Sequence, residues 1–345
     1  MSRLFAGIFL LLLWFLVQPL AAQRSGSKSK KSPRSSIYAI NKKYTSVGIR
    51  LNAMNYFGDL APLDDMVSTD LSLTRAGLGL FASRRLGPRF TARASFNWGR
   101  IKGDDFESAD PADQLARYRY VRNLQFRNDI KELSLVGVWD FLENMATYRS
   151  RKNVVPYLFA GIAVFHHNPK ALVPEGDINN GNSPFTNAGE WVALSPLMTE
   201  GISYKKVQFA IPFGLGLRFK LDNRWDLALE VGYRHLFFDY IDDVSNDYVD
   251  LGSLSSDLAR ALSDRSRETN AVESGEIRQT GVIPNEMESY VSPSDGNTYT
   301  TIAGYGRDAR DNIRGNSSDN DAYIMTGFQL SYIINNQRFK RAKFR

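Results

Sequence analysis

The chain has 345 residues, with 43 lysines and arginines against 37 aspartates and glutamates, a formal net charge of +6. It has no cysteine, which excludes disulfides, thiolate metal sites, a cysteine nucleophile and a lipobox. Its mean hydropathy of −0.32 leaves membrane strands open, because only one face of such a strand is apolar.

The first residues, MSRLFAGIFLLLLWFLVQPLAAQ, join a single cation (Arg3) to an apolar run and a small-residue site before Gln23. That run holds about 14 residues, short of the roughly 20 that a spanning helix needs. Residues 1–22 therefore read as a secretory signal peptide, and residues 23–43 as a basic Ser/Lys-rich arm. No other segment is apolar and long enough to span a membrane as a helix.

From residue 44 the pattern has a period of two, the mark of strands with one dry and one wet face. Eight strands are expected. The first covers 44–57, with Val47, Ile49 and Leu51 against Gly48, Arg50 and Asn52. The second lies near 73–82, with Leu78 and Leu80 against Arg75. The third, FTARASFNWG over 90–99, sets Phe90, Phe96 and Trp98 against Arg93 and Asn97. The fourth covers 130–141, with Leu135, Trp139 and Phe141 against Glu132, Ser134 and Asp140. The fifth, 155–165, is apolar on both faces and cannot be oriented. The sixth, 207–219, sets Phe209, Phe213 and Leu215 against Arg218. The seventh, 224–237, sets Trp225, Leu229 and Tyr233 against Asp226, Glu230 and Arg234. The eighth, 323–334, sets Phe328 and Leu330 against Gln329 and Ser331.

Connections after the second, fourth and sixth strands are short, and those after the first, third, fifth and seventh are long. This alternation is that of outer-membrane barrels, with short periplasmic turns and long outer loops. An even strand count puts both ends of the barrel in the periplasm. The expected fold is all-β: an eight-stranded antiparallel transmembrane β-barrel of the OmpA-like, up-and-down kind over residues 44–334. Arg50, Arg75, Arg93, Glu132, Arg218, Glu230 and Arg234 would line its lumen and neutralise one another, since an arginine facing lipid at mid-depth costs about 2–4 kcal/mol. Phe90, Trp139 and Trp225 would form a periplasmic girdle, and Trp98 and Tyr233 an outer one. A soluble lipocalin-type barrel would exchange the two faces, but it explains neither the loop alternation nor the girdles.

Several phrases go beyond periodicity: NYFGDLAP (55–62), RNLQFRNDIKELSLVG (122–137), PYLFAGIAVFHHNPKA (156–171), FAIPFGLGLRFKLDNRWDLALEVGYRHLFFDYIDDVSNDYVD (209–250), LSDR (262–265) and RGNSSDNDAYIMTGFQLSY (314–332). Together they resemble the PorG-like outer-membrane β-barrels of Bacteroidetes. The resemblance implies a component of the type IX secretion system, associated with a periplasmic lipoprotein ring of PorK/PorN-like proteins. Three features depart from the compact family pattern: the basic arm, the long last loop, and a basic tail over 335–345.

No catalytic motif, cofactor motif or metal-ligand spacing stands out. His166, His167 and His235 fall at outer strand ends, with Asp239, Asp242 and Asp243 close in sequence, but nothing fixes a nucleophile. A non-enzymatic barrel is expected, without cofactor or catalytic residues. A general pore is disfavoured, because eight strands enclose a lumen that side chains can fill. The last loop, 238–322, holds sixteen acids against seven arginines over 239–319, a net −9. It reads as mobile and hydrated. Its stretch DYIDDVSNDYVD is dense in oxygen ligands for calcium but lacks EF-hand spacing.

The arm and the tail are basic. Lys28, Lys30, Lys31 and Arg34 in the arm, and Lys340, Arg341 and Lys343 in the tail, are candidates for docking an acidic periplasmic partner. The expected partners are outer-membrane lipid and the periplasmic ring proteins; nucleic acid is excluded by export. The expected role is an accessory barrel of the secretion system that anchors the ring. The alternative is a structural or surface-binding OmpA-like barrel that acts through its outer loops.

Overall fold

The period-two stretches become eight long antiparallel strands closed on themselves. The computed structural model describes residues 43–60, 72–114, 116–174, 185–279, 281–310 and 312–334. The barrel strands are β1 (Thr45–Phe57), β2 (Arg75–Arg85), β3 (Phe90–Asp104), β4 (Gln125–Asp140), β5 (Val154–His166), β8 (Val207–Lys220), β9 (Trp225–Leu236) and β12 (Ala322–Ile334). Each pairs with its neighbours in the order β3-β2-β1-β12-β9-β8-β5-β4, and β3 pairs with β4 to close the ring. Closure leaves no sheet edge with unpaired backbone groups, the condition for strands in hydrocarbon.

All eight expected strands are present, and two are longer than the sequence pattern suggests. β3 and β4 stay paired from Phe90↔Trp139 up to Asp104↔Gln125, so this hairpin extends past the outer girdle. The short strands β6 (Pro169–Leu172) and β7 (Trp191–Ala193) add to its top through β4. The hairpin β10 (Met287–Val291) and β11 (Thr298–Ile302) stands apart within the last loop.

Facing follows the alternation. Phe90, Trp98 and Phe328 are exposed on the outside, while Arg93, Asn97 and Gln329 are buried within. The fifth strand, unreadable from its sequence, is now oriented: Val155, Tyr157, Phe159 and Phe165 are buried inward, and Leu158 and Ile162 are exposed outward. Its inner face is aromatic because other strands make room for it. A Cβ on Gly216 would lie 2.1 Å from the Tyr157 ring, and one on Gly48 would lie 2.6 Å from Phe81. The glycines on the polar faces of these strands thus admit bulky fillers to a narrow lumen.

The signal peptide, the basic arm up to residue 42 and the tail, with Lys28, Lys30, Lys31, Arg34, Lys340, Arg341 and Lys343, lie outside the described residues.

Candidate functional site: a sealed lumen under a folded cap

From the short-turn end upward, the lumen is filled by three charged layers. In the lowest, Asp140 of β4 is held by Arg85 and by Arg218, the latter at 3.1 Å. Arg151 pairs with Asp226 at 2.7 Å and also donates to the carbonyl of Tyr148. In the middle layer, Glu230 of β9 takes Arg50 and Arg93, with Arg93 Nη1 at 2.7 Å, and accepts the Tyr157 hydroxyl at 3.0 Å. Arg93 also donates to Gln329 and lies over the Phe159 ring. In the upper layer, Glu132 of β4 accepts Arg234 at 3.1 Å, Asn97 at 2.8 Å and Tyr323 at 2.9 Å. Both glutamates are buried, with relative exposures of 2 % and 1 %. Burying such charges is tolerable only with close partners and further hydrogen bonds; each glutamate has three side-chain partners here, while the Nε atoms of Arg50 and Arg93 are buried without one.

Six of the seven expected lumen charges therefore meet in these layers. Arg75 does not. It sits at the outer end of β2 and donates back to the carbonyls of Ser72 and Thr74, where the strand emerges and backbone oxygens are closer than any layer. Arg85, Asp140, Arg151 and Asp226 complete the network. Asp140 and Asp226 lie on the polar faces already visible in the sequence; Arg85 lies in a stretch read there as a turn.

Above the charges comes an apolar plug. Met54, Phe126, Ile130, Phe165 and Leu236 from the barrel pack with Ile241 and Val244 of the last loop. Asn128 pins that loop segment through the carbonyl of Ile241 at 2.6 Å. The segment DYIDDV thus closes the outer mouth. Its Asp242 and Asp243 are engaged by Tyr56 and Thr199, and among the described residues no three His, Cys, Asp or Glu side chains form a metal-binding set.

The last loop is not the hydrated chain its composition suggests. Leu251, Leu254, Ala259, Leu262, Ile302 and Tyr305 are buried in it, and a helix over Asp257–Ser263 is capped by Ser256. Arginines supply what periodic apolar residues do not. Arg278 donates to the carbonyls of Tyr120 and Val121 at 2.7 Å each, tying the last loop to the second. Arg122 pairs with Asp105 at 2.8 Å and reaches the carbonyl of Asp59 at 2.7 Å. Arg314 pairs with Glu200 at 2.6 Å, joining the last loop to the third. The described parts of the four outer loops are thereby joined in one cap.

At the hinge between barrel and cap, the Tyr56 hydroxyl lies 2.6 Å from Asp242 Oδ2 and 2.8 Å from Asp321 Oδ1. One hydroxyl has one proton, so two carboxylate oxygens around it require a second proton. Burial and the neighbouring carboxylates hold both aspartates well above the usual carboxylate range. Asp239 is pushed up to about 7 by burial and by Asp59. Asp243 is pushed up to about 6 by burial, against the opposing pull of Arg314.

The three histidines do not converge. His167 is fully buried, stacked at 16° on Tyr204, and pushed down to about 4 by burial. His166 and His235 point outward on β5 and β9, with β8 between them.

The outer surface decides what surrounds the barrel. Ile49, Leu51, Leu80, Ile162, Phe209, Leu215 and Phe328 are 51 to 70 % exposed on it, a continuous apolar belt that no water-soluble surface sustains. Phe90 and Trp98 on β3, like Trp225 and Tyr233 on β9, lie eight residues apart; at about 3.4 Å per residue and a tilt of ~40° this is roughly 20 Å, close to the apolar height of outer-membrane barrels. The chain is an outer-membrane β-barrel. Residues 35–186 match the family model DUF6089, a domain of unknown function. No curated protein matches the sequence significantly. Among solved structures the chain is similar to Ail, the attachment invasion locus protein of Yersinia pestis, at 10% identity over 85% of this chain and 99% of that one, with a TM-score of 0.33. It is also similar to a major outer membrane protein from Thermus thermophilus, at 10% identity over 84% and 99% of the two chains and a TM-score of 0.36. Neisserial surface protein A gives 8% identity over 84% and 96%, with a TM-score of 0.34.

Proposed function

We propose that this barrel is a non-enzymatic anchor of the type IX protein secretion system, holding a periplasmic lipoprotein ring of PorK/PorN-like proteins to the outer membrane. The observation that carries the reading is the sealed lumen: three ion-paired layers and an apolar plug leave the protein its two ends, not a passage, with which to act. The periplasmic end is open to partners. Arg89, Arg149, Lys152 and Arg224 are exposed on its turns, against Glu143 and Asp222. Leu142 and Met145 stand exposed beside them. The resemblance of residues 209–250 to the PorG-like barrels supports the choice of partner, and the basic arm and tail would extend the same surface.

Gentle-detergent purification of the tagged protein from its own outer membrane, after in-cell crosslinking, tests this. Stoichiometric periplasmic ring proteins are expected, and their recovery should fall when Arg149 and Lys152 are both replaced by glutamate. A barrel recovered alone would refute it. The second reading, a surface-binding barrel acting through its cap, is favoured by Ile277 and Val291, exposed at 79% and 66% on the outer side. On that reading the barrel is recovered without ring proteins, and replacing both with serine should abolish function.

A further inference from the structure

At the level of the outer girdle, the lysines and arginines on the outside of the barrel are gathered in one sector. On β4 the outward residues, from the membrane toward the outside, are Lys131, Asp129 and Arg127. Lys131 stands opposite Trp98 of β3 and His166 of β5. His166 pairs in turn with Val207, and Lys131 and Lys206 both lie close enough to act on the His166 imidazole. Lys131 lies eight residues from Trp139, as Trp98 does from Phe90, so its ammonium is at headgroup depth.

The carboxylate within this patch is already taken. Arg100 holds Asp129 through contacts of 2.6 and 3.1 Å. Lys131, Lys206 and Arg127 form no ion pair among the described residues. Arg127 lies flat over Trp191 at 4.0 Å, and its Nε is buried without a hydrogen-bond partner. The Nδ1 of His166 is buried and unpartnered as well. On the opposite side, the outward positions in the outer halves of β1, β2, β9 and β12 carry no lysine or arginine. A barrel that needed only general attraction to anionic lipid would spread its cations around the rim. This one concentrates them.

We propose that this sector binds the phosphorylated saccharide headgroup of an outer-leaflet lipid. Lys131 and Lys206 meet one phosphate at the membrane surface, and Arg127 meets a second anionic group farther out. The inference rests on the outer-membrane orientation with the long loops outside. A phosphomonoester brings up to two negative charges and three acceptor oxygens, which matches clustered cations whose own carboxylate is spent. Lys131 and Arg127 are four residues apart, about 13 Å along the strand, a span suited to a disaccharide phosphorylated at both ends. The aromatic girdle beneath seats the acyl chains, so the site belongs to a lipid rather than to a free anion.

The test uses the full barrel, delipidated in detergent and offered bisphosphorylated lipid A, dephosphorylated lipid A or inorganic phosphate, with bound mass read by native mass spectrometry. One bisphosphorylated lipid is expected per chain, with affinity about tenfold weaker in K131Q/K206Q and retained in K131R/K206R. The compact band of the unheated barrel on a gel confirms that each variant is folded. Equal retention of the dephosphorylated lipid, unchanged binding by K131Q/K206Q, or displacement by millimolar phosphate would overturn the proposal. Insertion into vesicles, followed by protease protection of the strands, tests the orientation separately.

Discussion

The barrel lumen and the cap are both polar interiors, and they are held in opposite ways. In the lumen, side chains answer side chains: Glu230 is met by Arg50 and Arg93, and Glu132 by Arg234. Most backbone groups there are spent in the strand ladder, so charges are met mainly by other side chains, with backbone carbonyls such as that of Gly232, which accepts from Arg234, as additional acceptors. In the cap, Arg278 and Arg122 reach backbone carbonyls that no ladder uses. An arginine with five donors can tie several loop segments at once. The lumen therefore acts as a lock whose parts are indivisible, and the cap as a set of staples that can be lost singly.

Breaking the lock should have the largest effect. Glu230→Ala leaves two buried guanidiniums facing each other and should destabilise the barrel by about 3–5 kcal/mol. Urea unfolding in lipid vesicles measures this; a loss below about 1 kcal/mol would show that water or a neighbouring carboxylate replaces Glu230. Removing one staple should do less and do it locally. Arg278→Ala strips donors from the carbonyls of Tyr120 and Val121 and should weaken the cap by about 1–3 kcal/mol. Protease cleavage within 257–302 should accelerate while the barrel's unfolding midpoint stays in place.

The hinge gives a pH-dependent form of the same comparison. Asp239 and Asp243 sit above their ordinary range, at about 7 and about 6. Both are protonated more readily in the folded cap than in an opened one, so their contribution is complete below about pH 4. It is lost as pH rises through 6 to 7. Hydrogen-exchange protection factors in the cap, corrected for the intrinsic pH dependence of amide exchange, should therefore be lower at about pH 8 than at about pH 5, with those of the strands unchanged, and Asp239→Asn should flatten part of that difference. The smallest effect belongs to Arg75→Gln. Its partners are rim carbonyls, and stability should stay within about 0.5 kcal/mol of the parent; a larger loss would return Arg75 to the lumen network.

Legibility in the sequence follows the same division. Residues such as Arg93, Phe96 and Trp98 report their facing directly, because a strand turns each successive side chain to the opposite face. Val155–Phe165 fails that test, since its lumen side carries Tyr157 and Phe159 and both faces look dry. Only the neighbouring glycines, brought opposite by register, reveal which side has room. Arg75 has the right parity but the wrong height, and height along a strand depends on where pairing ends. The cap is the harder case. Its net −9 and its Ser/Asn/Asp content suggest a solvated chain, while the arginines that fold it cross-link segments distant in sequence, as Arg278 and Tyr120 do.

The amino-acid sequence by itself determined the eight strands, their closure by alternating short and long connections, and the facing of seven of them, because these rest on local periodicity and on the cost of placing charge in lipid. The tertiary structure alone decided which acid meets which base, that Ile241 and Val244 plug the mouth, and that the described parts of the outer loops are tied together. Those choices depend on contacts between residues tens to hundreds of positions apart, and no local pattern encodes such distances.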